Sequence, residues 1–130
     1  QGFASGINFT VSNSAENAGA VIGSNFGNDV TTGRISVSGT LTAQFDSATL
    51  QTLYNGETNT SIIVVTTADE TATSDFVSFT MGRVKLTGDA PDDGEKVIVR
   101  TYPFTAEYQA AGGATTANEQ SLLAINDSAA

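Results

Sequence analysis

The sequence has 130 residues, the size of one ordinary domain, with 14 acidic and 5 basic side chains and a formal net charge of −9. It contains no cysteine and no histidine, which excludes disulfides and thiolate metal sites and removes the commonest general base and metal ligand. The sequence therefore argues against an enzyme and against a basic nucleic-acid-binding surface, and it has no apolar run long enough for a membrane helix.

The first predicted element is a strand over residues 6–13, in which apolar side chains occupy every second position. Residues 14–28 follow without a clear period and are predicted to form a long loop, which in compact domains is usually functional or mobile. This loop carries three large apolar side chains, Val21, Ile22 and Phe26. Two interpretations of these side chains stay open: burial in the protein's own core, or packing against a neighbouring subunit.

Residues 33–56 form the unit against which the rest of the chain is expected to pack. Apolar and polar side chains alternate without a fault from Arg34 to Phe45, which predicts a long strand with one buried and one wet face. The wet face carries Ser36, Ser38, Thr40 and Thr42. Over the whole unit, the side chains expected to be buried are Ile35, Val37, Leu41, Phe45, Leu50 and Leu53.

A short helix is predicted directly after this strand, because Leu50, Leu53 and Tyr54 have the spacing of one helix face. Asp46 or Ser47 is the expected N-cap residue. Gly56 is expected to supply the left-handed residue after the helix end.

Two further strands are predicted to form a hairpin. Residues 61–67 are a continuous β-branched run, which is typical of a central strand. Residues 75–81 alternate and are expected to pair with it. Gly82 is expected to introduce a kink or a bulge, after which residues 83–88 continue the strand.

The last long strand is predicted from residue 95 or 96 to Tyr108. Pro103 lies inside it and has no backbone N–H, so the strand is expected to be an edge or to bulge at that point. Residues 121–125 are expected to add one more short strand.

These elements predict a mainly β fold of six to seven strands, arranged as a two-sheet β-sandwich or a partly closed barrel with one short flanking α-helix. We expect a single domain over residues 1–130, with frayed ends at 1–5 and 126–130. Because the chain starts at Gln1 rather than methionine, we expect it to be part of a longer protein.

One segment, DAPDDGEK at residues 89–96, is dense enough in carboxylates to suggest a calcium site. Its spacing does not match the EF-hand loop, and Pro-Asp-Asp-Gly is an ordinary turn sequence, so we favour a turn. The pair Asp69–Glu70 has no nearby base or nucleophile in the sequence. The sequence contains no phosphate loop and no dinucleotide fingerprint, so we predict no catalytic residue, no metal site and no cofactor.

Four segments in a fixed order resemble a known family. They are Arg34–Gly39 (RISVSG), Leu50–Gly56 (LQTLYNG), Arg83–Gly88 (RVKLTG) and Tyr102–Tyr108 (YPFTAEY). Over about residues 6–108 the chain resembles the C-terminal half of the major tail tube proteins of long-tailed phages and prophages. Each motif is weak alone, and their joint order is specific.

This resemblance implies a structural subunit that polymerises as stacked rings around a channel through which DNA passes. The implied partners are further copies of itself and other tail proteins, with no specific nucleic-acid binding and no membrane. The implied location is the virion tail, after assembly in the cytoplasm of the bacterial host. The acidic composition agrees with a channel that repels phosphate.

With this resemblance, the residues predicted to contact neighbouring subunits are Val21, Ile22, Phe26, Ser36, Ser38, Thr40 and Thr42. Two alternatives remain at this point: a surface adhesion or carbohydrate-binding β-sandwich module, and the tube subunit of a contractile secretion system. The lack of tryptophan argues against the carbohydrate-binding alternative.

Overall fold

The computed structural model describes residues 4–17, 22–23, 30–31, 33–44, 48–71, 74–92, 98–110 and 121–128. Within these residues the elements are β1 (Ala4–Ser12), β2 (Glu16–Asn17), β3 (Val30–Thr31), β4 (Ser36–Gln44), α1 (Thr49–Asn55), β5 (Thr60–Thr67), β6 (Phe76–Leu86), β7 (Ala90–Asp92), β8 (Val99–Ala106) and β9 (Ala124–Asp127).

Seven of these strands form one antiparallel sheet in the order β1-β4-β8-β6-β5, with β7 beside β8 and β9 beside β6. β6 and β8 pair only over Val84–Leu86 and Phe104–Ala106. The sheet therefore has a first lobe (β1, β4, β8 and β7) and a second lobe (β5, β6 and β9), joined by that short pairing. β2 and β3 form a separate two-stranded ribbon.

The sheet curls so that its two lobes face each other. The ring centroids of Phe9 in β1 and Phe79 in β6 lie 5.5 Å apart, although β4 and β8 stand between those strands in the sheet order. The result is a half-barrel with one short helix. This confirms the predicted mainly β fold, and the curled sheet corresponds to the partly closed barrel.

The core fills the concave side of the half-barrel and comes mainly from β4, β6 and β8. Its buried side chains are Val37, Met81, Val84, Leu86, Tyr102, Phe104 and Ala106. Leu41 and the helix residues Leu50 and Leu53, which were expected to be buried, are partly buried and pack against this cluster. Ile35 does not: its side chain is 51% exposed, because β4 begins at Ser36 and its first fully buried position is Val37. Phe45 lies outside the described residues.

The residues predicted to cap the two ends of the helix need correction. The N-cap is Ala48, which makes no side-chain cap, and Thr52 Oγ1 donates instead to the Ala48 carbonyl over 2.8 Å. At the other end Gly56 has φ −83°, so the left-handed residue is Glu57, at φ +48°. The helix nevertheless ends at Asn55, as its spacing predicted.

The predicted hairpin is confirmed, since β5 and β6 pair antiparallel from Thr67–Phe76 onward. The register shifts between Thr60 and Ile62 opposite Gly82, which is the expected bulge, and β6 continues through it to Leu86. The prediction of a central strand at 61–67 is wrong. Among the described strands, β5 pairs only with β6 and ends the sheet, so its apolar run covers both faces of an edge strand.

Pro103 is accommodated in a way that the sequence did not predict, because β8 is an interior strand. Thr87, just after β6, donates its N–H to the Pro103 carbonyl over 2.8 Å. The nitrogen of a strand residue points to the same side as its carbonyl, so the Pro103 nitrogen faces away from β4, toward the connection from β6 to β7, and the β4–β8 ladder loses no hydrogen bond. Gly88 in that connection leaves room for the proline ring.

Described residues near both ends of the chain and at the base of the predicted loop lie in strands. Ala4 and Ser5 belong to β1, and Asn126 and Asp127 belong to β9, which pairs with β6. β9 thus runs slightly beyond the predicted strand at 121–125. The loop predicted at 14–28 is closed at its base by the β2–β3 ribbon.

Candidate assembly surfaces

β4 presents its predicted polar side chains on the convex side of the first lobe. β4 pairs with β1 on one side and β8 on the other, and partners across a ladder point to the same face. Thr42 stands between Gly6 and Thr101, and Ser38 between Thr10 and Thr105. We call this surface the hydroxyl face; its members are Asn8, Thr10, Ser12, Ser36, Ser38, Thr40, Thr42, Thr101 and Thr105.

One side-chain bridge orders the middle of the hydroxyl face. Asn8 Oδ1 accepts hydrogen bonds from Thr40 Oγ1 at 2.9 Å and from Thr40 N at 3.2 Å. Thr40 and Thr42 are half-buried between their neighbours, whereas Ser36 and Ser38 are exposed. The four β4 residues predicted as contacts are therefore brought together on one surface.

Of the three loop residues predicted as contacts, only Ile22 is described. It lies in a turn beside Gly23, which has φ +99°, and its side chain is fully exposed. Ile22 therefore does not join the core. Of the two interpretations of this side chain, packing against a neighbouring subunit is the one that stays open. Val21 and Phe26 lie outside the described residues.

A second surface was missed by the sequence predictions. On the convex side of the second lobe, Ile63 and Val65 of β5 and Phe76 of β6 are exposed by 63%, 54% and 40%. Their register places them on one face of the hairpin. We call these three side chains the apolar patch. The continuous β-branched run at residues 61–67 is the feature of the sequence that could have indicated this patch, but such a run is also typical of a fully buried strand.

The apolar patch lies beside an open sheet edge. In the part of the chain that the structure describes, β5 pairs only with β6, and β1, at the opposite end of the sheet, pairs only with β4. Unpaired edges present rows of backbone donors and acceptors that another chain can extend. Among the described strands, the two at the ends of the sheet thus each leave one edge suited to strand addition, and the β5 edge borders exposed apolar surface.

Comparison with known families decides what kind of protein carries these surfaces. The family model for phage tail tube proteins matches residues 1–106. The chain belongs to the phage tail tube protein family. The predicted resemblance is thereby confirmed at the level of the family. None of the curated proteins compared with the chain matches it.

A tail tube protein is a virion component of the tail, and the family is structural and self-assembling. The adhesion and secretion-tube alternatives are not favoured. Two aromatic side chains are exposed in the described part of the chain, Phe76 and Tyr108. Phe76 begins β6, whereas Tyr108 follows β8 next to Glu107, whose N–H donates to the Arg83 carbonyl further along β6, so the two do not form one sugar-stacking platform. The helix α1 is too short to cross a membrane, and no helix among the described residues is long and apolar enough to do so.

The carboxylate-rich segment of this tail tube protein is tied into the fold by an ion pair. Asp89 Oδ2 accepts from Arg100 Nη1 at 2.6 Å, with the two side chains only 10% and 17% exposed. β7 pairs with β8 at Ala90–Asp92, so the ion pair lies where β7 begins. Asp93 and Glu95 lie outside the described residues, and the described ones contain no group of three or more acidic side chains placed to hold a metal ion.

Tyr102 lies beside this ion pair in β8 and is almost completely buried. Burial raises the pKa of its hydroxyl above the ordinary value of 10.0, and the negative charge of Asp89 raises it further. A hydrogen bond with Arg100 and the charge of Arg100 oppose this rise. Tyr102 is therefore neutral at physiological pH, as suits a core residue.

Proposed function

We propose that this tail tube protein polymerises as stacked rings around a channel that conducts DNA, with no catalytic activity and no specific nucleic-acid binding. Its partners are further copies of itself and other tail proteins, and assembly takes place in the cytoplasm of the bacterial host. The family match over residues 1–106 carries this proposal.

The two open edges of the half-barrel support ring formation. A contact in which the β5 edge of one copy meets the β1 edge of the next uses two different surfaces, and such head-to-tail contacts close into rings when the rotation allows. Burial of Ile63 and Val65 at that contact would remove apolar surface from water, which drives most protein association. The exposed Ile22, together with Val21 and Phe26, is proposed as a further subunit contact.

Negative-stain microscopy of the full protein over a range of concentrations tests this proposal. We expect rings at intermediate concentrations and stacked tubes at high concentrations, accompanied by a concentration-dependent shift in sedimentation velocity. Monomers under all conditions would contradict it. A second assay tests the DNA part: labelled duplex at low salt, where non-specific binding is strongest, should show no binding to the subunit.

A further inference from the structure

The first half of β6 would be a further open edge of the sheet without the segment that contains β9. β5 pairs along one side of β6, whereas β8 reaches the other side only at residues 84–86. Among the described strands, β9 alone pairs with the rest of that second side, at residues 77–80. We call residues 76–80 of β6 the acceptor edge and residues 121–128 the covering segment.

Backbone hydrogen bonds hold the covering segment on the acceptor edge. Ser128 donates its N–H to the Phe76 carbonyl over 3.0 Å, and Ser128 Oγ accepts from the Phe76 N–H over 2.7 Å. Because hydrogen-bonded and non-hydrogen-bonded pairs alternate along an antiparallel ladder, Asn126 faces Ser78 as a hydrogen-bonded pair, whereas the N–H of Ile125 points away from β6. With strands on both sides, Ser78 is only 8% exposed.

Apolar side chains anchor the other end of the covering segment. Leu122 and Leu123, which precede β9, pack against the core cluster. The Ser121 carbonyl accepts from the Gln109 N–H over 3.4 Å. A ladder of main-chain hydrogen bonds combined with side chains held in apolar surroundings is how an extended peptide binds to a sheet edge. The covering segment thus meets the acceptor edge as a peptide ligand would.

The covering segment lies outside the part of the chain that matches the family. That match covers residues 1–106, which contain every other described strand of the sheet. The matched part alone would leave the acceptor edge without β9. A sheet edge without a partner is a template on which another copy can add a strand.

We propose that the acceptor edge is a strand-binding site and that the covering segment is its resident occupant, which keeps a second copy of this chain from pairing there. Because the segment belongs to the same chain, it competes at an effective concentration of about 1 mM. At micromolar protein it therefore has an advantage of about a thousandfold over a neighbour's strand of equal affinity. This inference does not require that the copies form rings.

β9 replaces the acceptor edge with a poorer one. It has four residues and carries the carboxylate of Asp127. Very short strands and charged side chains are two ways in which proteins make a sheet edge unsuited to further pairing. Contacts between copies are thereby left to the edges of β1 and β5.

Two proline substitutions in β9 test this proposal, because proline has no backbone N–H. Asn126→Pro removes a donor that faces β6, whereas Ile125→Pro removes one that faces away and is the matched control. Ser128→Ala is a milder variant that removes only the side-chain acceptor of the Phe76 N–H. Circular dichroism establishes which variants are folded. Sedimentation velocity then compares them with the unsubstituted protein, below the concentration at which the latter assembles.

We expect Asn126→Pro to form dimers and larger species, Ser128→Ala to do so to a smaller extent, and Ile125→Pro to stay monomeric. A synthetic peptide of residues 121–128, SLLAINDS, should reverse this association at millimolar concentration, and a scrambled peptide should not. Association no greater than that of Ile125→Pro, or association that the peptide leaves unchanged, would overturn the proposal. If Asn126→Pro does not fold, the comparison of Ser128→Ala with Ile125→Pro decides.

A second experiment asks whether the covering segment stays on its own chain. Val77 and Asp127 stand opposite each other as a non-hydrogen-bonded pair, with Cα atoms about 4.5 Å apart, which is within the range of a disulfide. Since the chain has no cysteine, Val77→Cys combined with Asp127→Cys should form a disulfide within one chain. Mixing the two single variants should give no linked heterodimer. Linked heterodimers would show that the segment is exchanged between copies and would overturn the proposal.

Discussion

At the scale of single residues, Gly39 is a position in the first lobe where no side chain fits. It stands in β4 between Phe9 of β1 and Phe104 of β8. A Cβ atom at Gly39 would lie 2.8 Å from both Phe104 Cζ and Phe9 Cα and would overlap the Asn8 carbonyl oxygen. Gly39 thus provides the space in which two core phenylalanines flank the central strand.

Gly39→Ala should therefore destabilise the protein by about 1–3 kcal/mol or more, because an extra methyl group in a packed core forces its neighbours to move. Gly6→Ala is the matched control, since Gly6 is in the paired part of β1 and a Cβ there meets nothing within 4 Å. Urea unfolding of both variants measures the difference. Equal stability of the two variants would show that Gly39 is not tightly enclosed.

The ion pair between Asp89 and Arg100 gives a second prediction at this scale. Asp89→Asn should lower the free energy of unfolding by about 3–5 kcal/mol, because it leaves a guanidinium charge in a mostly buried position. Glu57→Gln removes the partner of Lys85 in an exposed pair and should cost less than about 1 kcal/mol. Similar losses in thermal and urea unfolding would contradict this ranking.

At the scale of elements, the alternation of apolar and polar side chains predicts the strands well, because this pattern involves only residues that are adjacent in the sequence. β1, β4 and the β5–β6 hairpin lie close to their predicted positions, and the bulge at Gly82 is confirmed. The edge position of β5 was not predictable in this way. A run that is apolar on both faces indicates burial, and whether a second strand pairs with it depends on residues far away in the sequence.

The dependence of strand pairing on residues far away in the sequence also limits what the sequence reveals of the candidate surfaces. The polar face of β4 follows from alternation. Its extension into a three-stranded grid depends on pairing Thr40 with Asn8 and with Pro103, which are remote in the chain. The sequence does not predict the apolar patch, because the β-branched run that contains Ile63 and Val65 is typical of a central strand.

The exposed face of β5 leads to a prediction for assembly. The double variant Ile63→Ser with Val65→Ser should keep the folded subunit, since both side chains are exposed, but should lose tube formation because apolar burial drives association. Ile62→Ser is the control from the same strand: Ile62 packs against the core, so this change should lower the melting temperature. Tubes formed by the double variant at unchanged concentration would argue against a contact at β5.

At the scale of the whole molecule, net charge and apolar surface act in opposite directions. Subunits that each carry −9 repel one another, while the apolar patch favours their association. Salt shortens the range of the repulsion, to about 10 Å at 0.1 M, and leaves apolar association in place.

Raising the salt concentration from about 0.05 to about 0.5 M should therefore lower the protein concentration at which tubes appear. Light scattering with parallel microscopy measures this threshold. Glu70→Gln with Asp75→Asn removes two charges near the apolar patch and should lower the threshold at low salt. Tubes that dissolve as salt is added would indicate instead that ion pairs hold the subunits together.

Gly39 has a consequence for how the strands find one another during folding. β4 and β8 both carry small polar residues at alternate positions on their convex faces, so a shift of two residues would leave every side chain on its correct face. Alternation alone therefore does not distinguish the true alignment from a shifted one. Gly39 does, because a shift of two residues would place Val37 or Leu41 opposite Phe104, where the true alignment leaves no room for a Cβ atom. The glycine thus selects one alignment from several of similar pattern.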